Sequence, residues 1–260
     1  MTSNKYPVEL ATKEKIKKLF AYRRLTDLLN ESGLIKDEEF VNHLVDVQYQ
    51  IYMLDGYLES QWEINKNQLE VYWEAIKISL EHAGYKKKQI SSLTGEIEKY
   101  QVIEKNCRKD KWPTKVSLKK FYTSKSCDVR LIRHMIYQAC PELETIWLEE
   151  KWLYYDLITE IHDDISDIEE DIPTCNGNRF LISILRKGVS KTQEEYDAFL
   201  VEISEKAKIY FDTKKSKGKN KQLGSWISAR YKETIKLLDA KVQSKIMDKL
   251  SNAKLLNYMN

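Results

Sequence analysis

An all-α fold is predicted by three features of this 260-residue sequence: few turn-forming residues, apolar residues in helical period, and a composition rich in both charge and hydrophobicity. The chain holds 8 Gly and 4 Pro, where average usage would give about 18 and 13. Sandwiches and many-crossover α/β folds need those residues at frequent turns, and too few are present here. Apolar residues recur instead at three- and four-residue steps over long blocks. Hydrophobic residues make up 42% and aromatics 11%, enough to build a core and too many for a disordered chain.

The elements follow in order. Residues 13–29 carry Ile16, Leu19, Phe20, Leu25 and Leu28 at helical spacing, with Gly33 beyond them as a stop. A second helix over 37–61 runs through Phe40, Leu44, Val47, Ile51 and Leu54. Helices are predicted over 67–83, closed by Gly84, and over 87–105. The stretch Lys111-Trp-Pro-Thr interrupts the pattern, because Pro113 disfavours helix at the residue before it. Helices resume over 116–139 and 143–171, break at Pro173 and Cys175-Asn-Gly-Asn178, and return over 178–187, 192–212, 225–238 and 240–257. Thr213 to Gln222 holds five lysines and no apolar residue, the composition of a solvated, flexible loop. No repeat of fixed period and no shift in composition divides the chain. The expectation is one helical domain over 1–260, a bundle of about ten helices.

Charge excludes some partners. With 43 basic and 40 acidic residues the net charge is +3, which provides no general attraction for nucleic acid. The N-terminus lacks the apolar core of a signal peptide, and no run of about 18 apolar residues offers a membrane span. A cytoplasmic protein without stable membrane insertion is expected. Cys107, Cys127, Cys140 and Cys175 show no CxxC pairing, so reduced thiols are expected.

The most informative segment is Trp152 to Asp171, WLYYDLITEIHDDISDIEED. Asp163, Asp167 and Asp171 stand four residues apart, so on a helix they form one stripe, with Asp164 beside the first. Like charges at this spacing repel. A divalent cation reverses the sign of that energy, and an all-oxygen donor set suits magnesium. Leu157, Ile158, Ile161, Ile165 and Ile168 continue a core-facing pattern through the same run, so the helix is expected to be packed on several sides. An EF-hand is excluded: counting from Asp163, the sixth position, which needs Gly, is Ile168.

This segment resembles the second metal motif of class I terpene synthases, with Asp163-Asp164, Asp167 and Asp171 in its acidic positions. The same DDISD string is similar to the aspartate-rich motif of trans-prenyltransferases. The resemblance implies an isoprenoid-synthase-like bundle in which two acidic helices flank a pocket, with magnesium, three ions in the family pattern, and a prenyl diphosphate between them. Asp55-Gly-Tyr-Leu-Glu59 resembles the first acidic motif through Asp55 and Glu59, with Gly56 at the second aspartate's position and Asp46 as an alternative ligand. Lys125, Arg130 and Arg133 resemble the cations that grip diphosphate, Arg130 as the sensing arginine and Lys125-Ser126 as the Lys-Thr/Ser pair of prenyltransferases. Arg230-Tyr231 resembles the Arg-Tyr pair that closes on the diphosphate. Asn176, Asn178 and Arg179 follow the acidic helix, where they can line the mouth of the pocket or, for the asparagines, turn and cap the chain. Aromatic side chains for a dry cationic pocket include Tyr49, Tyr52, Trp73, Tyr122, Trp147, Trp152, Tyr154 and Tyr155.

The function implied is a magnesium-dependent terpene cyclase, a carbon–oxygen lyase acting on farnesyl or geranylgeranyl diphosphate. A cyclase is favoured over chain elongation because no paired arginines follow Asp55. A homodimer is compatible with this reading. Two rivals stand beside it. One is a non-enzymatic helical scaffold or adaptor, whose acidic stripe would face solvent. The other is an HD-type metal phosphohydrolase built on His162-Asp163 with His82 or His134 upstream.

Overall fold

The computed structural model describes residues 5–60, 63–106, 116–172, 177–211, 218–244 and 250. Among them are thirteen α-helices, two short 3-10 turns and no strand, so the all-α prediction holds. Cys107, Cys175, Asn176 and residues 213–217 of the lysine-rich stretch lie outside the described residues, as does most of the helix predicted over 240–257.

The chain forms two compact units, one from residues 1–98 and 127–145, the other from 99–126 and 146–260. The first contains α1 (Lys5–Tyr22), α2 (Leu25–Ser32), α3 (Glu38–Ser60), α4 (Lys66–His82), most of α5 (Lys87–Asn106) and α7 (Cys127–Ala139). Helix α3 packs against α1, α4 and α7. It does so through Leu44, Val47, Ile51, Leu54 and Leu58, an apolar row at three- and four-residue steps that is buried throughout. A continuous first helix is predicted over 13–29, but the chain turns at Arg24, whose φ of 63° is left-handed. Asn65 caps α4 by accepting from the N–H groups of Asn67 and Gln68.

The second unit contains α6 (Leu118–Lys125), α9 (Leu153–Ser166), α10 (Ile168–Asp171), α11 (Arg179–Lys187), α12 (Val189–Phe211) and α13 (Lys219–Val242). Before α9 the chain makes a four-residue α8 (Leu143–Ile146), whose first three residues belong to the first unit, and a 3-10 turn, Glu149–Trp152. Helix α9 is the hub: α6, α11, α12 and α13 all pack on it. Ile158, Ile161 and Ile165 are fully buried along it, each contributing roughly 1.5–3 kcal/mol of apolar burial. At its N-terminal end Trp147, Trp152 and Trp226 pack edge-to-face and tilted, with ring centroids within 6.0 Å of one another. The Trp147 indole donates to the Lys219 carbonyl at 2.7 Å.

Two more predicted helices are divided. The helix over 116–139 breaks at Ser126, and the one over 143–171 becomes α8, a 3-10 turn, α9 and α10. Neither predicted span contains Gly or Pro, so neither break carries the usual punctuation. Lys219 to Gln222, the end of the predicted loop, form the first turn of α13.

Candidate functional site

Helix α9 and its continuation α10 carry the acidic stripe. The Asp167 N–H donates to the Asp163 carbonyl at 2.9 Å, and the Asp171 N–H to the Asp167 carbonyl at 2.9 Å. Helical pitch is therefore kept across the junction, and the three carboxylates remain on one face although Asp167 separates α9 from α10. Asp163 and Asp171 are half-buried, while Asp167 presents more of its surface to solvent. Partial desolvation pushes the Asp167 carboxyl up to about 6, reinforced by the charges of Asp163, Asp171 and Glu170 and opposed by Lys125. Burial also raises Asp171, against the hydrogen bond it accepts from Asn178.

Asp164 behaves differently from its neighbours. It is 1% exposed. Its Oδ2 accepts from the Tyr122 hydroxyl at 2.8 Å and from the Arg179 backbone N–H at 2.8 Å. Its Oδ1 is paired with the Lys125 ammonium. The carboxylate thus sits at the N-terminus of α11, where orphan N–H groups and the helix dipole favour negative charge. Asn178 completes this corner: its amide donates to the Asp164 carbonyl at 2.6 Å and to Asp171 Oδ2 at 2.7 Å, while its own oxygen caps Leu181. Lys125, Asp164, Asp171, Asn178 and Arg179, separate expectations in the sequence, are brought together in one unit.

Two tyrosines extend the network into the core. The Tyr122 and Tyr196 hydroxyls are 2.8 Å apart, and burial, with the Asp164 charge, raises both phenols above their ordinary range. Tyr196 carries no signal in the sequence, since its role depends on α12 reaching α6. Asp156 and Glu160 were also missed. With Asp164 they form a second acidic row at four-residue steps, 0%, 3% and 1% exposed, each engaged by neighbours. The spacing is legible in the sequence, but burial of such a row is not.

Arg230 lies on α13, 3.2 Å from Glu233 and 3.3 Å from the Tyr155 hydroxyl. Tyr231 beside it is half-buried. Burial lowers the His162 imidazole, helped by the Arg230 charge, and its Nδ1 lies 3.2 Å from Thr234 Oγ1.

The remaining expected residues belong to the first unit. Asp55 and Glu59 lie on α3, Arg133 is 2% exposed on α7, and Arg130 stands 3.5 Å from Glu96. Asp46, the alternative ligand, is paired with Lys13 at 2.8 Å. His82 and His134 are in this unit as well, whereas His162 is in the other.

Among the described residues no three His, Cys, Asp or Glu side chains gather into a metal-binding group. Magnesium does not require one, because it is held by one or two carboxylates with water and substrate phosphate completing its shell. The stripe's donor chemistry fits that mode, with oxygen-only carboxylates, Asp167 raised first by desolvation and then by the charge of its neighbours. Asp164 does not fit as a ligand, since protein donors already engage both of its oxygens. A cleft of about 230 Å³ in this unit is lined by residues that include Lys119, Phe199 and Tyr154, one of the aromatics expected for a pocket, and by none of the expected metal or diphosphate residues. No helix among the described residues is long and apolar enough to cross a membrane. Compared with known proteins, the chain matches no family model, no curated protein and no solved structure.

Proposed function

We propose that the protein is a magnesium-dependent enzyme of the class I terpene synthase type, ionising a farnesyl or geranylgeranyl diphosphate at the acidic face of its second unit. The observation that carries this reading is the Asp163–Asp167–Asp171 stripe on one helical face, with the Asp167 carboxyl pushed up to about 6 by partial desolvation and by the charges of Asp163, Asp171 and Glu170. Asp163, Asp167 and Asp171 are the residues that would hold magnesium. Bound there with the substrate, the metal neutralises charge on the leaving diphosphate.

The chain's own residues do the rest. The substrate's C–O bond breaks with its electron pair leaving on the diphosphate. The allylic cation left behind is closed on its own chain and discharged by giving a proton to the released diphosphate, or, for an alcohol, by capturing water whose proton goes to the same diphosphate. Lys125, shared with Asp164, supplies positive charge beside the stripe. Asn178 holds Asp171 in place through its amide hydrogen bond.

A scaffold remains the second reading, favoured by the full engagement of Asp164 with protein donors. Incubation with geranyl, farnesyl and geranylgeranyl diphosphates, with and without magnesium, separates the two. Magnesium-dependent pyrophosphate release with a hydrocarbon or alcohol product, lost in Asp163→Ala and Asp167→Ala while helicity is kept, is the expected result. Folded protein that releases nothing from any of them leaves the stripe as a scaffold surface.

A further inference from the structure

The cleft of the second unit lies between α12, the start of α6, and the first turn of α9 with the 3-10 turn before it. Its deepest lining is apolar. Leu157 and Ile203 are each 3% exposed, and the half-buried rings of Phe199 and Tyr154 line the cleft with them. On α12, Phe199, Ile203 and Lys206 follow at steps of four and three residues, so a ring, an aliphatic side chain and a cation share one face.

The rim is cationic. Three lysines, Lys119, Lys151 and Lys206, line the cleft against two acids, Glu150 and Glu202. Each acid is taken by a lysine: Glu150 by Lys151 at 2.7 Å, Glu202 by Lys206. Lys119 is left over, with no acid partner among the described residues, so the lining carries one net positive charge. The Lys151 ammonium is also held 4.2 Å from the centre of the Tyr210 ring. Size and charge together select a ligand. An apolar cavity of about 150 Å³ holds one benzene ring, and this cleft measures about 230 Å³, room for a ring with a short polar arm. Its surplus charge comes from lysines alone, point charges that demand no fork geometry, and a single surplus charge matches a monoanion.

We propose that this cleft binds a small aromatic carboxylate, its ring against Phe199 and Tyr154 and its carboxylate on Lys119 and Lys151. The site goes beyond the function proposed above and uses none of its metal or diphosphate residues.

Calorimetric titration of the full chain with 3-phenylpropionate tests this, with 3-phenylpropionamide as its uncharged counterpart and hexanoate as its ring-free one. Wild type is expected to bind 3-phenylpropionate saturably, and the other two several-fold more weakly. Lys119→Glu changes an exposed side chain and spares the fold. It should weaken the acid about three- to tenfold, as reversal of an exposed charge pair does, and leave the amide unchanged. Phe199→Ala should weaken acid and amide alike, about tenfold, through loss of the ring contact. If Phe199→Ala fails to fold, Lys119→Glu decides alone. No saturable binding to wild type, or an acid whose affinity is unchanged in Lys119→Glu, overturns the site. Amide binding as tight as the acid overturns the anion, and hexanoate binding as tight overturns the ring. Displacement of the acid by inorganic pyrophosphate also overturns the proposal, because it returns the cleft to the diphosphate.

Discussion

The Tyr122 hydroxyl meets the Asp164 carboxylate at 2.8 Å, tying α6 to α9 across 42 residues of sequence. Lys125, one turn further along α6, pairs with the other oxygen of the same carboxylate. Asp164 is thereby separated in role from Asp163, its immediate neighbour, although the two form one dipeptide in the acidic motif.

That separation predicts opposite consequences for two alanine substitutions. Asp164→Ala leaves the Lys125 charge and the Tyr122 hydroxyl without their acceptor and opens a buried gap, so a loss of about 3–5 kcal/mol is expected. Asp163→Ala removes a half-buried carboxylate that repels Asp167, and unfolding stability should stay within about 0.5 kcal/mol. Urea denaturation followed by circular dichroism distinguishes them. Equal stability of the two variants contradicts the assignment.

Asp167 predicts a pH dependence of definite sign. Its carboxyl is raised from 3.8 to about 6 in the folded chain, so the native state holds the proton more tightly than the unfolded one. Stability is therefore lost as pH rises from about 4 through about 6. Asp167→Asn should abolish that loss. The gain at pH 7 is about 1 kcal/mol once solvent screening of an accessible group is allowed for, and it should vanish near pH 4. Thermal melts at the two pH values measure it, and a variant stabilised equally at both refutes the cause given.

Magnesium should act on the same term. Added at pH 7, it is expected to raise the melting temperature of the wild type and to do so less in Asp167→Asn, because the variant lacks one of the carboxylates whose repulsion the cation relieves. Calcium and sodium at matched ionic strength control for screening. An equal response to sodium would mean that the stripe is only a charged surface.

Gly224 on α13 offers a packing test away from the acidic face. A Cβ built there comes within 2.8 Å of the Phe211 Cβ on α12. Alanine improves helix propensity by up to about 1 kcal/mol, yet it must push apart two helices whose contact includes the buried Phe211 ring. A net loss of about 1–3 kcal/mol is expected from overpacking. A more stable Gly224→Ala protein in the same denaturation assay shows that the helices can part freely.

Helical content and the acidic stripe were both legible in the sequence because each depends on local period. Asp163, Asp167 and Asp171 share a face wherever the backbone keeps i to i+4 hydrogen bonds, and it keeps them across the α9–α10 junction. The cap at Asn178 is of the same kind, with a short polar side chain preceding an apolar run. The breaks at Arg24 and Ser126 were not legible, since ordinary helix-compatible residues occupy them and their conformation follows from where the flanking helices must pack.

By itself, then, the sequence determined the class of fold and the linear order of charge along each helix, quantities that follow from residue spacing alone. Tertiary structure decided which charges are buried and with whom. Asp164 became an internal anchor and Asp167 an accessible, proton-retaining carboxyl because α6 and α11 close over one edge of α9 and leave another open. Desolvation sets the energy of a charge, and it depends on neighbours that the chain brings together from tens of residues away.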